Sequence, residues 1–293
     1  MKTRILGLAT CYNRKEKTLK AIESLRQSTP GCDIRFIITD DNSSDGTAQA
    51  LESIEGVTVV MGDGNSFYSG GMRLAMAKAL EDRTLTDGYD YILLFNDDVD
   101  FYPGAIDRLT KYGYKKEGAA EAGKPLSAGP DPSKILVGPT CEEDGRTLSY
   151  GGIARKSNFR PKFRKVMADA GKTLKVDTFN ANCVLVPTEL FVKTGNMDTV
   201  YNHSLGDFDY GYMLARKGGE IFVSGEYVGI CPFNSEEGTW NDPKLTRRER
   251  FKKKESIKGV PFGEFFHYLL KNYNLLTAII YSFSPYVRIL IGK

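Results

Sequence analysis

The first hundred residues alternate short apolar runs with segments whose apolar residues recur every three or four positions. The runs are rich in β-branched and aromatic residues and predict strands, whereas the periodic segments predict helices. The predicted strands cover residues 5–9, 35–39, 57–61 and 91–95, and the predicted helices cover residues 16–27, 47–54 and 72–80. Such alternation predicts an α/β fold with a mostly parallel central sheet and helices on both faces.

The second half of the chain has shorter predicted strands, notably over residues 183–186 and 220–223. A segment rich in Gly, Ala, Pro and Lys, residues 113–134, precedes them, and we interpret it as an exposed excursion rather than a linker. The composition changes after residue 243. We therefore predict one domain over residues 1–243 and a helical extension over residues 244–293.

The overall composition is that of an ordinary soluble protein. The 293 residues are 41% hydrophobic and 26% charged, and the net charge of +3 is too small to indicate a nucleic-acid-binding protein. The five cysteines show no CxxC spacing, which favours free thiols in a reducing compartment over disulfides or a zinc site. The first apolar run is too short for a signal peptide and no stretch of 18 apolar residues occurs, so we expect a cytoplasmic protein without a conventional membrane span.

Two adjacent aspartates follow the predicted strand at 91–95. In this FNDDVD segment, Asn96, Asp97 and Asp98 would emerge where the strand ends, and open α/β sheets bind ligands at that edge. Neighbouring carboxylates repel each other and are costly to desolvate unless a cation or hydrogen-bond donors neutralise them. Mg²⁺ and Mn²⁺ prefer oxygen ligands and are often shared between carboxylates and substrate phosphates. The pair therefore indicates a metal–diphosphate site, with a solvated turn as the alternative.

Three further polar segments follow predicted strands or open a predicted helix: ATCYNR at 9–14, DDNSSDGT at 40–47 and GDGNSFYSGGMR at 62–73. Asp41 would leave its strand at the same sheet edge as Thr10 and Tyr12. Its carboxylate would there accept the imide N–H of a uracil or thymine base, while Tyr12 covers the ring. Gly70 and Gly71 stand at a helix entrance, where backbone N–H groups can approach an anionic ligand. The alternative for these segments is a set of capped loops.

The order of these four motifs resembles the family 2 glycosyltransferases, which have the GT-A fold. The resemblance implies a Rossmann-like nucleotide-sugar-binding half at 1–112 and an acceptor and catalytic half at 135–243. The family's DxD motif falls on Asn96–Asp98, which implies that Asp98 binds Mg²⁺ or Mn²⁺, although Asn96 departs from the usual first aspartate. The residues that the resemblance assigns to the nucleotide sugar are Thr10, Tyr12, Arg14, Asp41, Gly70, Gly71, Arg73, Asn96 and Asp97.

The identity of the donor rests on one loop. The GNSFYSGGM segment is most similar to the rhamnosyltransferase-type members of the family, which implies dTDP-rhamnose as the donor. A UDP-linked sugar is the alternative.

The catalytic half contains the candidate base. The LGDFDYGY segment at 205–212 is similar to the family's ED motif, with Gly206 in place of the glutamate. The resemblance implies that Asp207 takes the proton of the acceptor hydroxyl, with Asp209 in reserve. The alternative for either aspartate is a helix N-cap. The FNANC segment corresponds to the acceptor side in relatives, which makes Asn180 and Asn182 acceptor candidates.

Three other residues have weaker signals. Trp240 is a candidate for stacking on an acceptor sugar, although a lone tryptophan more often packs against its loop. The two histidines, His203 and His267, lack a metal-ligand spacing, so we expect surface or packing roles for them. Many relatives carry a metal-binding histidine downstream of the base, where this chain has VGICPFN with Cys231.

The extension at 244–293 is open to two interpretations. Its basic stretch at 244–258 beside an aromatic-rich amphipathic segment is typical of an interfacial anchor on an anionic membrane. The alternative is that its helices pack on the sheet and that the basic run is a solvated face. The first interpretation predicts a peripheral location at the inner face of the cell membrane.

The leading hypothesis is an inverting, metal-dependent glycosyltransferase that uses a dTDP- or UDP-linked sugar. Its acceptor would be a surface polysaccharide or lipid-linked glycan, and no nucleic-acid partner is expected. A sugar nucleotidyltransferase is one alternative, but it would normally open with a Gly-rich, Arg-containing loop where this chain has ATCYNRKEK. A catalytically silent glycan-binding module is the other.

Overall fold

A computed structural model describes residues 2–82, 86–114 and 129–292 of the chain. Most of the predicted excursion at 113–134, namely residues 115–128, lies outside the described residues. The strands are β1 (Thr3–Cys11), β2 (Cys32–Asp40), β3 (Val57–Met61), β4 (Tyr91–Phe95), β5 (Asp100–Phe101), β6 (Lys134–Val137), β7 (Thr140–Cys141), β8 (Leu148–Tyr150), β9 (Gly152–Arg155), β10 (Phe163–Val166), β11 (Thr173–Val176), β12 (Thr178–Phe179), β13 (Cys183–Pro187), β14 (Glu220–Ser224) and β15 (Gly229–Ile230). The helices are α1 (Lys15–Ser28), α2 (Thr47–Glu52), α3 (Phe67–Glu81), α4 (Ala105–Thr110), α5 (Thr188–Thr194), α6 (Gly206–Arg216), α7 (Arg247–Lys254), α8 (Phe262–Asn272), α9 (Leu275–Ser282) and α10 (Ser284–Leu290).

The largest sheet has eight strands in the order β11-β14-β6-β13-β4-β1-β2-β3. Strands β3, β2, β1 and β4 run parallel, as the alternation in the first half predicts. Strand β13 then pairs antiparallel with β4, so that Cys183 lies opposite Phe95, and it also pairs antiparallel with β6. The sheet is therefore parallel through the first half and mixed in the second.

Burial on both faces explains the continuous apolar runs of the central strands. All five residues of β4 are buried. Ile92 and Leu94 belong to the core cluster that includes residues of α3, α5 and α6. Leu93 and Phe95 belong to the cluster on the other face, which includes residues of α1, α2 and α4. The predicted arrangement of helices on both faces of an α/β sheet is thus confirmed.

The C-terminal helices α8 and α9 pack on the domain beside α6. Tyr268, Leu269 and Ala278 are buried in a cluster with Tyr201 and Tyr212. This arrangement agrees with the packing interpretation for one side of the extension. In the part of the chain that the structure describes, no helix is long and apolar enough to cross a membrane.

A buried carboxylate also joins α8 to α6. The side chain of Asp209 is fully buried, and it accepts hydrogen bonds from Lys271 Nζ and Asn272 Nδ2, each at 2.7 Å. Lys271 also donates to Asp198 at 2.7 Å. Burial of an ionised carboxylate is tolerated only when such partners compensate it.

Removal of the Asp209 carboxylate should therefore weaken the attachment of α8 to α6. We expect Asp209→Ala to lower the free energy of unfolding in urea by about 3 kcal/mol, because it breaks a buried ion pair. Glu220→Ala is the matched control, since Glu220 pairs with Lys175 while both side chains are about half exposed. That control should cost less than about 1 kcal/mol, and equal losses in the two variants would contradict the account.

Candidate active site

A cavity of about 570 Å³ lies where β1, β2 and β4 end, at the N-terminus of α6. Ten of the residues predicted from the sequence line it: Thr10, Tyr12, Arg14, Asp41, Asn96, Asp97, Asp98, Asn180, Asn182 and Asp207. The antiparallel pairing of β13 with β4 brings the two halves together here, because the backbone N–H of Asn96 donates to the carbonyl oxygen of Asn182.

The two adjacent aspartates share the guanidinium group of Arg14. Arg14 Nη1 donates to Asp97 Oδ1 at 3.1 Å and to Asp98 Oδ2 at 3.0 Å. Asp97 is buried whereas Asp98 keeps about a quarter of its side chain exposed. Burial raises the pKa of Asp97 to about 6, and the attraction of Arg14 opposes this rise. Arg14 thus balances a concentration of negative charge at the cavity wall.

The side-chain oxygen atoms at this wall provide part of the coordination that a divalent cation requires. Asp97 and Asp98 offer the hard oxygen ligands that Mg²⁺ and Mn²⁺ prefer, and the buried Asn96 Oδ1 has no hydrogen-bond partner in the described residues. The Cys231 thiol donates to Asp98 Oδ1 at 3.6 Å. Within residues 2–82, 86–114 and 129–292, no three His, Cys, Asp or Glu side chains converge on one point. A cation held here would therefore complete its coordination with water or with oxygen atoms of a bound ligand.

Asp207 lies in the first turn of α6. Its Oδ1 accepts the backbone N–H of Phe208 at 2.8 Å, and its Oδ2 accepts that of Ala181 at 3.3 Å. Burial raises the pKa of Asp207 to about 6, although these hydrogen bonds favour the ionised form. A carboxyl group with this pKa is suited to accept a proton near neutral pH.

Gly206, which precedes Asp207, lies at a close contact between two helices. A Cβ atom at position 206 would lie 2.5 Å from Ser69 Oγ on α3. Leu205, which precedes it, has a positive φ of 68°. The close approach of α6 to α3 therefore requires glycine at 206.

The carboxylate of Asp41 holds the loop that precedes α3. Its Oδ1 accepts the N–H of Gly64 at 2.9 Å, and its Oδ2 accepts those of Ser66 at 2.9 Å and Phe67 at 3.2 Å. Because each carboxylate oxygen has two lone pairs, Asp41 can still accept a further N–H from a ligand. Tyr12 is 52% exposed on the same wall.

Three residues of the glycine-rich segment lie behind the wall instead of lining it. Gly70 and Gly71 are buried in α3, and a Cβ at Gly71 would lie 2.0 Å from Thr10 Oγ1. The guanidinium of Arg73 donates to the carbonyl oxygens of Asp198 and Tyr201. These residues therefore pack behind the wall, where Gly71 lies against Thr10 and Arg73 lies against the loop before α6.

Two acceptor candidates are also absent from the cavity lining. Asp209 is committed to the buried pair with Lys271, so its carboxylate is not placed to serve as a second base. Trp240 lies under Arg288, whose Cζ is 5.5 Å from the ring centroid, and its carbonyl oxygen accepts a hydrogen bond from Arg250 Nε. The Trp240 ring therefore contacts a cation of α10 and does not line the cavity.

Comparisons with known sequences and structures identify similar proteins. Residues 8–135 match the sequence model of Glycosyl transferase family 2. The mannosyltransferase PcManGT from Pyrobaculum calidifontis, solved in complex with GDP-Man and Mn²⁺, has a similar fold with a TM-score of 0.55 and 13% sequence identity. That similarity covers 100% of this chain and 74% of that one. The chain is a glycosyltransferase of the GT-A fold.

A second solved structure, S. aureus TarS, has a TM-score of 0.53 and 14% identity. The similarity covers 80% of this glycosyltransferase but only 37% of TarS. No curated protein is significantly similar to the chain in sequence.

The glycosyltransferase cavity also contains Tyr68, His203 and Lys258, for which the sequence predicted no role in the site. The Tyr68 hydroxyl is buried without a hydrogen-bond partner in the described residues, and burial and the charges of Asp207 and Asp98 raise its pKa. His203 lines the cavity with its ring centroid 6.3 Å from that of Phe67, and burial lowers its pKa. Lys258 reaches the cavity from the loop between α7 and α8. Tyr68 lies inside the quoted GNSFYSGGM motif, but nothing in the pattern shows where its hydroxyl points.

The contact between Gly71 and Thr10 can be tested directly. We expect Gly71→Ala to lower the free energy of unfolding by about 1–3 kcal/mol, since the new methyl group overlaps Thr10. Gly263→Ala is the control, because a Cβ there meets nothing within 4 Å and alanine favours the helix α8. A Gly71→Ala protein as stable as the wild type would contradict the assignment of Gly71 to packing.

Proposed function

We propose that the enzyme transfers a sugar from a nucleoside-diphosphate donor to an acceptor hydroxyl, with inversion at the anomeric carbon. The observation that carries this proposal is that Asp98 and Asp207, from opposite halves of the fold, line one cavity. The Asp98 carboxylate lies beside Asp97 and accepts a hydrogen bond from Arg14. The Asp207 carboxylate accepts hydrogen bonds from backbone N–H groups. A transferase of this type needs both a diphosphate site and a base.

The residues divide between the donor and the acceptor. Thr10, Tyr12 and Asp41 would hold the nucleoside, and Arg14 would remain close to the diphosphate charge. Mg²⁺ or Mn²⁺, held by Asp98 together with Asp97, would supply electrophilic stabilisation to the leaving diphosphate. These assignments agree with the cavity lining.

Asp207 would act on the acceptor. The acceptor oxygen forms a bond to the anomeric carbon as the bond from that carbon to the diphosphate oxygen breaks. Asp207 takes the proton of the attacking hydroxyl, and the nucleoside diphosphate leaves with the electron pair. Asn180 and Asn182 line the same cavity and would contact the acceptor.

The donor and acceptor follow from the sequence motifs. We infer dTDP-rhamnose as the donor from the GNSFYSGGM segment, with UDP-linked sugars as the second class. GDP-linked sugars enter the test because the similar PcManGT was solved with GDP-Man. We infer a surface-polysaccharide or lipid-linked glycan acceptor, reached at the cytoplasmic face of the membrane.

A donor screen tests the proposal. Calorimetric titration with dTDP, UDP and GDP in the presence of Mn²⁺ should show one nucleotide binding more tightly than the others. Asp41→Ala should weaken that binding about tenfold through loss of a charge-assisted hydrogen bond and of its loop contacts. The exposed loop variant Asp63→Ala is the control. Absence of binding for all three nucleotides would contradict the proposal.

The base assignment predicts a pH profile. The raised pKa of Asp207 means that the ionised base is lost as the pH falls through about 6, so kcat should fall about tenfold per pH unit below that value. Asp207→Asn should lower kcat at least about a hundredfold with little change in donor affinity.

Asp97 has a pKa in the same range and provides the control. Asp97→Asn should weaken donor binding yet retain the acidic limb of the kcat profile. Full transfer activity in Asp207→Asn, or loss of the limb in Asp97→Asn alone, would reject Asp207 as the base.

Tyr68 should position the donor. Its buried hydroxyl, which has no partner in the described residues, is available to hydrogen-bond a bound ligand. We expect Tyr68→Phe to reduce kcat/KM about tenfold and to leave the melting temperature unchanged or raised, because it removes an unsatisfied polar group. Unchanged kinetics would show that the hydroxyl does not meet the substrate.

A further inference from the structure

Helix α9 exposes its apolar side and buries its polar one. Thr277, Ala278 and Ser282 are at most 3% exposed. The opposite side and the residue that follows the helix consist of large apolar residues between 48% and 66% exposed: Leu275, Leu276, Ile279, Ile280 and Phe283. We call these five residues the apolar face. A surface helix of a globular domain normally has the reverse arrangement, and a contiguous exposed apolar patch indicates an interaction site.

The apolar face continues onto the last helix. Val287, Leu290 and Ile291 are each at least 52% exposed, on and just after α10. These side chains are therefore not covered by the packing that buries Tyr268 and Leu269.

A loop of the second half adds a further exposed aromatic residue. Phe159 is 71% exposed, and its carbonyl oxygen accepts a hydrogen bond from Thr277 Oγ1 at 3.1 Å, which fixes this loop beside α9. Lys156, Arg160 and Lys162 around it are exposed. The loop thus presents one apolar side chain among cationic ones.

Positive charge accompanies the apolar face. Residues 244–293 contain eleven Lys or Arg residues and three Glu, a formal charge of +8, whereas the whole chain carries only +3. Lys252 and Lys253 are exposed on α7, which contacts α10 through Phe251 and Tyr286 with ring centroids 6.0 Å apart. The remaining 243 residues are therefore net acidic.

We propose that the apolar face and the Phe159 loop bind the surface of an anionic lipid bilayer, with α9 lying in the interface. An exposed row of aliphatic and aromatic side chains bordered by Lys and Arg matches the boundary between acyl chains and anionic headgroups. A second copy of the chain would bring an equal positive charge against this surface, so the charge disfavours a dimer there.

The membrane surface gives the active site access to a lipid-borne acceptor. Lys258, between α7 and α8, lines the cavity, which connects the basic extension to the site. This consequence rests on the proposed function. Binding to the bilayer itself does not require it.

Sedimentation of the full chain with vesicles tests the proposal. The wild type should sediment with phosphatidylcholine vesicles that contain phosphatidylglycerol, and less with phosphatidylcholine alone. Leu276→Gln/Ile280→Gln should weaken binding to the anionic vesicles about tenfold or more, because two apolar side chains no longer enter the interface. Met61→Gln/Leu174→Gln is the matched control, since those residues are 53% and 40% exposed on the edge strands of the sheet.

Charge-reversal variants provide a second test in the same vesicle assay. Lys252→Glu/Lys253→Glu should weaken binding to the anionic vesicles, whereas Lys2→Glu/Lys17→Glu, on exposed residues of the first half, should have a smaller effect. Circular dichroism and melting temperatures should show that all variants are folded.

Three results would overturn the proposal. They are a wild type that does not bind anionic vesicles, undiminished binding by Leu276→Gln/Ile280→Gln, and a wild-type dimer that this double variant dissociates. The vesicle assay uses no nucleotide sugar. A protein that binds vesicles but no nucleotide would therefore contradict the proposed function alone, and the reverse result would contradict the membrane surface alone.

Discussion

The structure of the site depends on how three of the four carboxylates that line its cavity are neutralised. Asp97, Asp98 and Asp207 all line it, and bringing like charges together out of water is costly. Arg14 balances the first two, and the backbone N–H groups of Phe208 and Ala181 hold the third. The pair that Arg14 balances, Asp97 and Asp98, is suited to bind a cation and a diphosphate. The single carboxyl group that backbone N–H groups hold, that of Asp207, is suited to accept a proton.

The sheet topology makes this separation possible. Parallel strands bring β1, β2 and β4 to one edge, so Arg14 and Asp98 meet although they are far apart in sequence. The antiparallel strand β13 then returns along β4, which places Asn182 beside Asn96. Ligands of open α/β sheets bind at such an edge, where the connection between strands changes direction.

Much of the first half is predictable from the sequence, because its signals are local. The runs at 57–61 and 91–95 form strands with the predicted ends. All five residues of β4 are buried, because continuous apolar residues suit a strand covered on both faces, whereas β3 lies at the edge of the sheet and is partly exposed. Helix α3 begins at Phe67 rather than Met72. Its N-terminal part contains Gly70 and Gly71, which are poor helix formers, and the close approach of Thr10 leaves no room for a Cβ at Gly71.

The rest of the site depends on long-range contacts that no local pattern encodes. The sequence places Asp209 beside Asp207, but only the position of Lys271 in α8 shows that Asp209 belongs to a buried ion pair. Arg73 is likewise taken up by backbone carbonyls more than a hundred residues away. His203 reaches the cavity through the loop before α6, which tertiary packing alone determines.

The central claim is that a nucleoside diphosphate and a divalent cation share the wall formed by Asp97 and Asp98. The most direct test is a titration with Mn²⁺ that is monitored by electron paramagnetic resonance. It is carried out with and without the nucleotide that binds best. The account predicts that the nucleotide tightens Mn²⁺ binding about tenfold or more in the wild type, because the protein supplies few ligands of its own, and that Asp98→Ala abolishes this gain. Mn²⁺ affinity that does not change with nucleotide, or a gain that persists in Asp98→Ala, would contradict it.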